Sequence, residues 1–206
     1  MMEQRSDEWF ATRAGKVTAS ALHKVMARTK SGYGADRANY LTQLVIERMT
    51  GKPADSFSNA AMQWGIDMEP QARGAYAEQV GDMPVEIGFV DHPTIAMTGA
   101  SPDGLVGFDG MVEIKCPTPA THWATLDGAP IVRKYLYHMQ WLMACAERDW
   151  CDFASYDPRW PEPLRLHVRR VDRDAALITE LETEVSAFLD EVAAAVARAE
   201  TLMKAA

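Results

Sequence analysis

The spacing of apolar residues in this chain changes period near residue 84, from the three-to-four of helices to the two of strands, and that change limits the folds open to it. Before it, Leu41, Leu44, Val45 and Met49 form one stripe over Ala38 to Met49, a helix that Gly51 should end. An earlier helix follows Thr18 and Ser20, either of which can cap it, with Leu22, Val25 and Met26 turned inward. Between the two, Lys30 to Asp36 carries Gly32 and Gly34 and reads as a flexible loop. A third helix covers part of Ala60 to Val80 and stops at Gly81. Pro70 inside it removes a backbone donor, so the helix should either start near Glu69 or bend.

After the change, Val85, Ile87 and Phe89 alternate with small or polar residues, and short strands are expected at Ile95 to Thr98, Leu105 to Phe108 and Met111 to Lys115. A helix from about Ile131 to Ala146 separates these from strands at Asp152 to Tyr156 and Leu164 to Val171, the latter burying Leu164, Leu166 and Val168 on one face. Leu177, Leu181, Val185, Phe188, Val192 and Val196 then share the stripe of a long closing helix. The expected fold is α/β (α+β), a central mixed sheet flanked by helices, in a single domain spanning residues 1–206. No apolar run reaches membrane-span length, and the start MMEQRSDEWF lacks the basic-then-apolar order of a signal peptide, which points to a cytoplasmic protein with no membrane partner. Cys116, Cys145 and Cys151 have no CxxC spacing and read as reduced thiols.

The net charge of −8 argues against a nucleic-acid partner until its distribution is considered. From Ala54 to Glu113 the acids Asp55, Asp67, Glu69, Glu78, Asp82, Glu86, Asp91, Asp103, Asp109 and Glu113 face Arg73 alone. The N-terminal part is basic through Arg5, Arg13, Lys16, Lys24, Arg28, Lys30 and Arg37, and a second basic run holds Arg165, His167, Arg169, Arg170 and Arg173. Such a pattern suits a cation site flanked by surfaces that attract phosphate.

The stretch that carries chemistry is Ser101 to Pro117, SPDGLVGFDGMVEIKCP. Glu113 and Lys115 lie two apart in a strand and therefore share a face. Asp103 and Glu113 can supply the carboxylates that Mg²⁺ takes alongside water and substrate phosphate, with the backbone carbonyl of Ile114 as a further ligand. Lys115 would orient or deprotonate the attacking water and balance charge in the transition state. All three side chains share a face only if the intervening hairpin loop is odd in length. A two-residue turn at Asp109 and Gly110 would split them. A three-residue loop of Phe108, Asp109 and Gly110, with Gly110 left-handed, pairs Leu105 with Glu113 and Asp103 with Lys115, unless a bulge at Gly104 or Gly107 makes the same correction.

The blocks WFATRAGKVTAS (Trp9 to Ser20), WGIDMEPQA (Trp64 to Ala72), SPDGL with VEIKCP, YLYHMQW (Tyr135 to Trp141) and SYDPR (Ser155 to Arg159) resemble the lambda-exonuclease, or YqaJ-like, family from Trp9 to the final helix. The resemblance implies a restriction-endonuclease-like PD-(D/E)xK core that resects double-stranded DNA 5′ to 3′. It also implies two Mg²⁺ ions, for which Mn²⁺ can substitute, a ring-shaped homotrimer, and a single-strand annealing protein as partner. It places metal ligands at Asp103 and Glu113, the catalytic lysine at Lys115 and an accessory acid at Glu69, and it assigns Arg13, Ser20 and Ser101 to the 5′-phosphate of the DNA end. Gln140 matches the second of two family glutamines on the following helix, while His138 stands where the first would be. In a ring, Lys30, Arg165 or Arg169 would line the channel, and the acids Glu180, Glu182, Glu184, Asp190 and Glu191 of the last helix would face away. A PD-(D/E)xK endonuclease or junction resolvase, or a non-catalytic DNA-binding protein on the same scaffold, would share these features.

Overall fold

The computed structural model describes residues 2–30, 32–54 and 59–205. Ser31 and Asp55, which entered the loop and charge readings above, lie outside the described residues. The chain begins with α1 (Asp7–Arg13), capped by Ser6, then β1 (Val17–Thr18) and a 3₁₀ turn (Ala19–Ala21) that runs into α2 (Leu22–Val25). Leu22, Val25 and Met26 are buried as expected. Lys30 to Asp36 is not a plain loop: β2 (Arg28–Thr29) and β3 (Gly32–Tyr33) pair as a small hairpin, and α3 (Ala35–Thr50) begins before Asp36. Gly51 ends α3 in the left-handed conformation.

Helix α4 (Ala60–Val80) does not start at Glu69. It runs 21 residues with Pro70 inside, capped by the Asn59 side chain and ended by left-handed Gly81. One backbone bond lost at Pro70 is outweighed by the rest of the ladder and by Ala72 and Tyr76, both fully buried against the sheet. The Tyr76 hydroxyl also donates to Asp152 at 2.8 Å, which anchors the helix.

The alternation at Val85, Ile87 and Phe89 does not make a strand; only Val85 bridges, to Leu105, and a two-residue β4 (Val90–Asp91) follows. Val85 is exposed and Ile87 and Phe89 are only partly buried, so the segment lacks the continuous buried face of a strand. The expected strand at Ile95 to Thr98 is displaced to β5 (Thr98–Ala100), which pairs parallel with β1 and antiparallel with β4. Next come β6 (Gly104–Val106), β7 (Gly110–Lys115), α5 (Pro119–Leu126), α6 (Arg133–Ala146), β8 (Trp150–Tyr156), β9 (Leu166–Asp172) and α7 (Ala175–Ala205). Leu164 sits in a 3₁₀ turn before β9 and is exposed, so the buried face of that strand is shorter than its sequence suggests.

The main sheet is mixed, in the order β6-β7-β8-β9. Only β7 and β8 are parallel, joined by the crossover through α5 and α6. Period two along β7 sorts its residues between two layers. Met111, with Cys151 and Phe153 of β8, packs under α6 and α7 against Met139, Leu142, Leu181, Val185 and Phe188. Val112 and Ile114, with Ala154 and Tyr156, pack against α4. Glu113 and Lys115 have the parity of Met111 and therefore stand beneath α6.

Candidate active site

The β6–β7 hairpin fixes the first relationship. Leu105 pairs with Met111 and Val106 with Gly110, so three residues, Gly107 to Asp109, form the loop. The loop is odd, as the shared-face argument requires, but it lies one residue earlier than expected. Gly107, not Gly110, is left-handed, with φ of 56°, and its N–H donates to Asp82. Gly110 serves a different need: a Cβ there would lie 2.0 Å from the Trp150 ring. Since the register differs from the expected one by two positions, face parity is kept, and Asp103, Leu105, Met111, Glu113 and Lys115 point to the same layer.

Asp103 accepts a 2.7 Å hydrogen bond from the backbone N–H of Ile114. Fully buried Glu113 is bonded through Oε1 to the Lys115 ammonium and lies 3.1 Å from His138 Nδ1 on α6, while its buried Oε2 has no hydrogen-bond partner among the described residues. Burial and the neighbouring Glu113 push the Asp103 carboxyl up to about 8. Burial would raise Glu113 as well, but His138 and Lys115 outweigh it and hold the carboxyl down at about 2. For Lys115 burial acts downward, and Glu113 and Asp103 more than reverse it, keeping the ammonium charged. Lys115 is thus a fixed positive charge in this state rather than a free base.

A cleft of about 950 Å³ opens over this group, lined among others by Glu69, Asp103, Ile114, Lys115, Lys134 and Arg159. Glu69 reaches it from α4, held between Arg5 and Arg73, the latter at 2.8 Å. Arg5 carries a left-handed backbone, with φ of 70°, beside Gln4, whose amide donates to the carbonyls of Ile87 and Pro102. Among the described residues no three His, Cys, Asp or Glu side chains close a complete cation site. Two crowded carboxylates, one raised by the other, with an unpartnered buried oxygen, still fit a hard cation that completes its shell with water and phosphate. Asp103 and Glu113 would hold it, with Glu69 at the cleft edge.

Gln140 is not part of this group. Its amide donates to the Asp172 carbonyl and its oxygen accepts from the Asp174 N–H, tying α6 to the start of α7. Two positions on a helix are about 200° apart, so with His138 on Glu113 its neighbour must point away. Arg13, Ser20 and Ser101 are gathered elsewhere. Arg13 stacks on Trp9 at 3.7 Å, and Trp9 Nε1 donates to the Ser101 hydroxyl at 2.9 Å. Arg13 and Ser20 line a second cavity of about 500 Å³, with Lys16, Thr18 and Lys24; Met62 borders both cavities. Burial lowers the Arg13 guanidinium to about 10, and its Nε has no hydrogen-bond partner among the described residues. Lys30 is exposed at the β2–β3 hairpin, lining neither cavity. Of the expected channel cations, Arg165 donates to the Trp160 carbonyl and Arg169 to that of Ala129. Acids of the last helix are engaged within the chain: Arg28 pairs with Glu184, Arg37 with Glu191 at 2.8 Å, and Glu182 lies 3.4 Å from His92 Nε2. Sequence reasoning gave no role to Arg5 or Arg159 in the catalytic cleft. SYDPR marked Arg159, but nothing periodic marks Arg5.

This architecture is that of the nuclease-fold exonucleases. The chain belongs to the YqaJ-like viral recombinase domain family, whose model matches residues 8–149. It is 48% identical to the alkaline exonuclease LHK-Exo from Laribacter hongkongensis, with a TM-score of 0.90 over 98% of this chain and 100% of that one. The same figures hold for LHK-Exo solved in complex with dAMP. A phage-related exonuclease from Haemophilus somnus 129PT shares the fold, at 17% identity and a TM-score of 0.67 over 89% of this chain and 96% of that one. No curated protein matched the chain. Among the described residues no helix is long and apolar enough to cross a membrane.

Proposed function

We propose that this chain is a Mg²⁺-dependent exonuclease that degrades duplex DNA from 5′ ends and leaves a 3′ single strand for recombination by annealing. Membership of the viral recombinase family and the likeness to an alkaline exonuclease support a DNA exonuclease. The observation that carries the reading is the gathering of Asp103, Glu113 and Lys115 on one buried hairpin face beneath an open cleft. A dAMP complex of the relative supports a cleft that accepts a mononucleotide.

Mg²⁺, or Mn²⁺ in its place, would supply a water of lowered pKa and neutralise charge on the scissile phosphate; two ions are proposed. Asp103 and Glu113 hold the cation, with the Ile114 carbonyl and Glu69 as further ligands. Glu69 must release Arg5 or Arg73 to take that role. Lys115, already charged, orients the attacking water and balances developing negative charge on the phosphate. His138 fixes Glu113 by a contact that a glutamine amide could also make. The second cavity is proposed to hold the terminal 5′-phosphate on Arg13 and Ser20, with Ser101 holding Trp9 beneath the arginine. A ring of three subunits, with Lys30 toward the DNA, and a single-strand annealing protein as partner complete the proposal.

The deciding experiment digests linear duplexes bearing 5′-phosphate or 5′-hydroxyl ends, and covalently closed circles, with and without Mg²⁺. Mononucleotides released from the 5′ end of linear DNA, in Mg²⁺ only and faster from phosphorylated ends, are the expected result. Cutting of closed circles would point to the endonuclease, and no metal-dependent hydrolysis of any substrate would remove the reading. Light scattering that returned a monomer, with and without DNA, would remove the ring.

A further inference from the structure

The SYDPR block ends in an arginine that is more tightly fixed than an exposed side chain needs to be. Asp157 is fully buried and serves Arg159 almost alone: its Oδ1 accepts from the Arg159 backbone N–H at 3.1 Å and from Nε at 2.6 Å, and its Oδ2 accepts from Nη2 at 3.0 Å. Nη2 also donates to the Pro117 carbonyl at 3.1 Å, just beyond the strand that carries Glu113 and Lys115. The Trp64 ring of α4 covers one face of the guanidinium, at 4.4 Å. Burying a carboxylate is costly, and doing so to hold a side chain that remains 45% exposed calls for a reason outside the fold.

The hydrogen count supplies one. A guanidinium has five N–H donors. Nε and both hydrogens of Nη2 are used, so the pair on Nη1 is left without a partner among the described residues. Beyond the face that Trp64 covers, the Nη1 end stays open, with two in-plane hydrogens that can donate to the anionic oxygens of a phosphate. Arg159 lines the same cleft as Asp103 and Lys115. Of the other cations lining that cleft, Lys115 is bound to Glu113 and Arg5 to Glu69, while Lys134 lies over the Tyr135 ring.

We propose that Arg159, locked by Asp157 and backed by Trp64, is a preorganised clamp for a backbone phosphate of the strand being cut, and so positions that strand over Asp103 and Glu113. This rests on the nuclease reading. Because its rotamer is set before DNA arrives, little side-chain freedom is lost on contact. The clamp is a positioning device: it fixes the DNA and takes no part in bond breaking.

The test measures DNA binding in Ca²⁺ across a salt series, and kcat and KM in Mg²⁺, for the native protein, Arg159→Ala, Arg159→Lys and Arg198→Ala, the last an exposed cation on α7. For Arg159→Ala, affinity should fall on the order of ten-fold at low salt, and the log–log salt slope should shrink by about 1, the signature of one lost phosphate contact. KM should rise more than kcat falls, Arg159→Lys should restore the slope but only part of the affinity, and Arg198→Ala should change neither. An unchanged slope in Arg159→Ala, with activity and melting temperature either intact or falling together, would overturn the clamp. Native protein without metal-dependent hydrolysis would instead overturn the nuclease reading beneath it.

Discussion

The Asp103 carboxylate accepts the backbone N–H of Ile114, the residue between Glu113 and Lys115, at 2.7 Å. That bond closes the open end of the β6–β7 hairpin and sets the two acids against each other. An asparagine oxygen can accept the same bond, so Asp103→Asn should fold. It removes a carboxyl whose folded-state pKa is raised by burial and by Glu113. For a raised acid, the folded state binds the proton more tightly, so its contribution to stability is full below the unfolded value and declines as pH rises toward about 8. Without metal, the variant should therefore gain on the native protein as pH climbs from about 4 to about 8. Mg²⁺ should raise the native melting temperature and not the variant's, while cleavage falls about 10³-fold or more. Equal stabilisation of both by Mg²⁺ would place the cation elsewhere.

Lys115→Ala should abolish hydrolysis, by about 10³-fold or more, while DNA affinity in Ca²⁺ stays within a few-fold. The lysine is bonded to Glu113 and held in its charged form, so its contribution is charge and water orientation. Lys115→Arg should keep measurable turnover, since it keeps the charge. A near-normal rate for Lys115→Ala in steady-state assays would end the assignment.

The part of the site that follows from strand parity was legible from the sequence. Period two puts Glu113 and Lys115 on one face, and an odd loop adds Asp103; a register displaced by two positions leaves that unchanged. What was not legible rests on distant partners. The sequence offers Asp109–Gly110 as turn residues, but Gly110 is small because Trp150, 40 positions on, lies against it, and the left-handed position passes to Gly107. Phe108 is 94% exposed at the tip, with nothing in its local pattern to show it. Helix geometry alone separates His138 from Gln140, and only the family resemblance joined them. Arg5 enters the cleft through Gln4 and its bonds to residues far along the chain, which no local period records.

Arg13→Ala should weaken discrimination between 5′-phosphate and 5′-hydroxyl ends by about ten-fold and slow processive digestion, because a partly buried guanidinium whose Nε has no hydrogen-bond partner among the described residues is removed from the second cavity. The ratio of initial rates on the two ends is the measurement. Equal losses on both would assign Arg13 to packing on Trp9 instead.

His92 gives the fold a pH dependence that is separate from the cleft. It is buried on Trp141 at 4.8 Å, and Nδ1 accepts from the N–H groups of Thr94 and Ile95. Burial lowers its pKa and Arg173 adds to this, against an opposing pull from Glu182 of α7, 3.4 Å from Nε2. A base lowered in the folded state binds its proton better when unfolded, so stability is full above the ordinary histidine value and is lost as pH falls from there through the depressed one. His92→Asn keeps an acceptor for the turn and should flatten that acid loss below about pH 6.5 in denaturation curves. An unchanged pH profile would mean that other groups set it.

His138 and Gln140 make a paired prediction, since they lie two apart on α6 and serve different parts of the molecule. Gln140 bonds both the Asp172 carbonyl and the Asp174 N–H in a buried position. Gln140→Ala leaves those backbone groups unpaired and should cost about 1–3 kcal/mol of stability, with kcat unchanged wherever the protein is folded. His138 touches Glu113 and is one of the groups holding that carboxyl down. His138→Ala should instead lower kcat and weaken Mg²⁺ dependence with little change in melting temperature, and His138→Gln should restore much of the loss by offering an amide donor to the same oxygen. Paired thermal melts and kinetics separate the roles. If Gln140→Ala lowered kcat at full stability while His138→Ala only unfolded the protein, the side of α6 assigned to chemistry would have to be exchanged for the other.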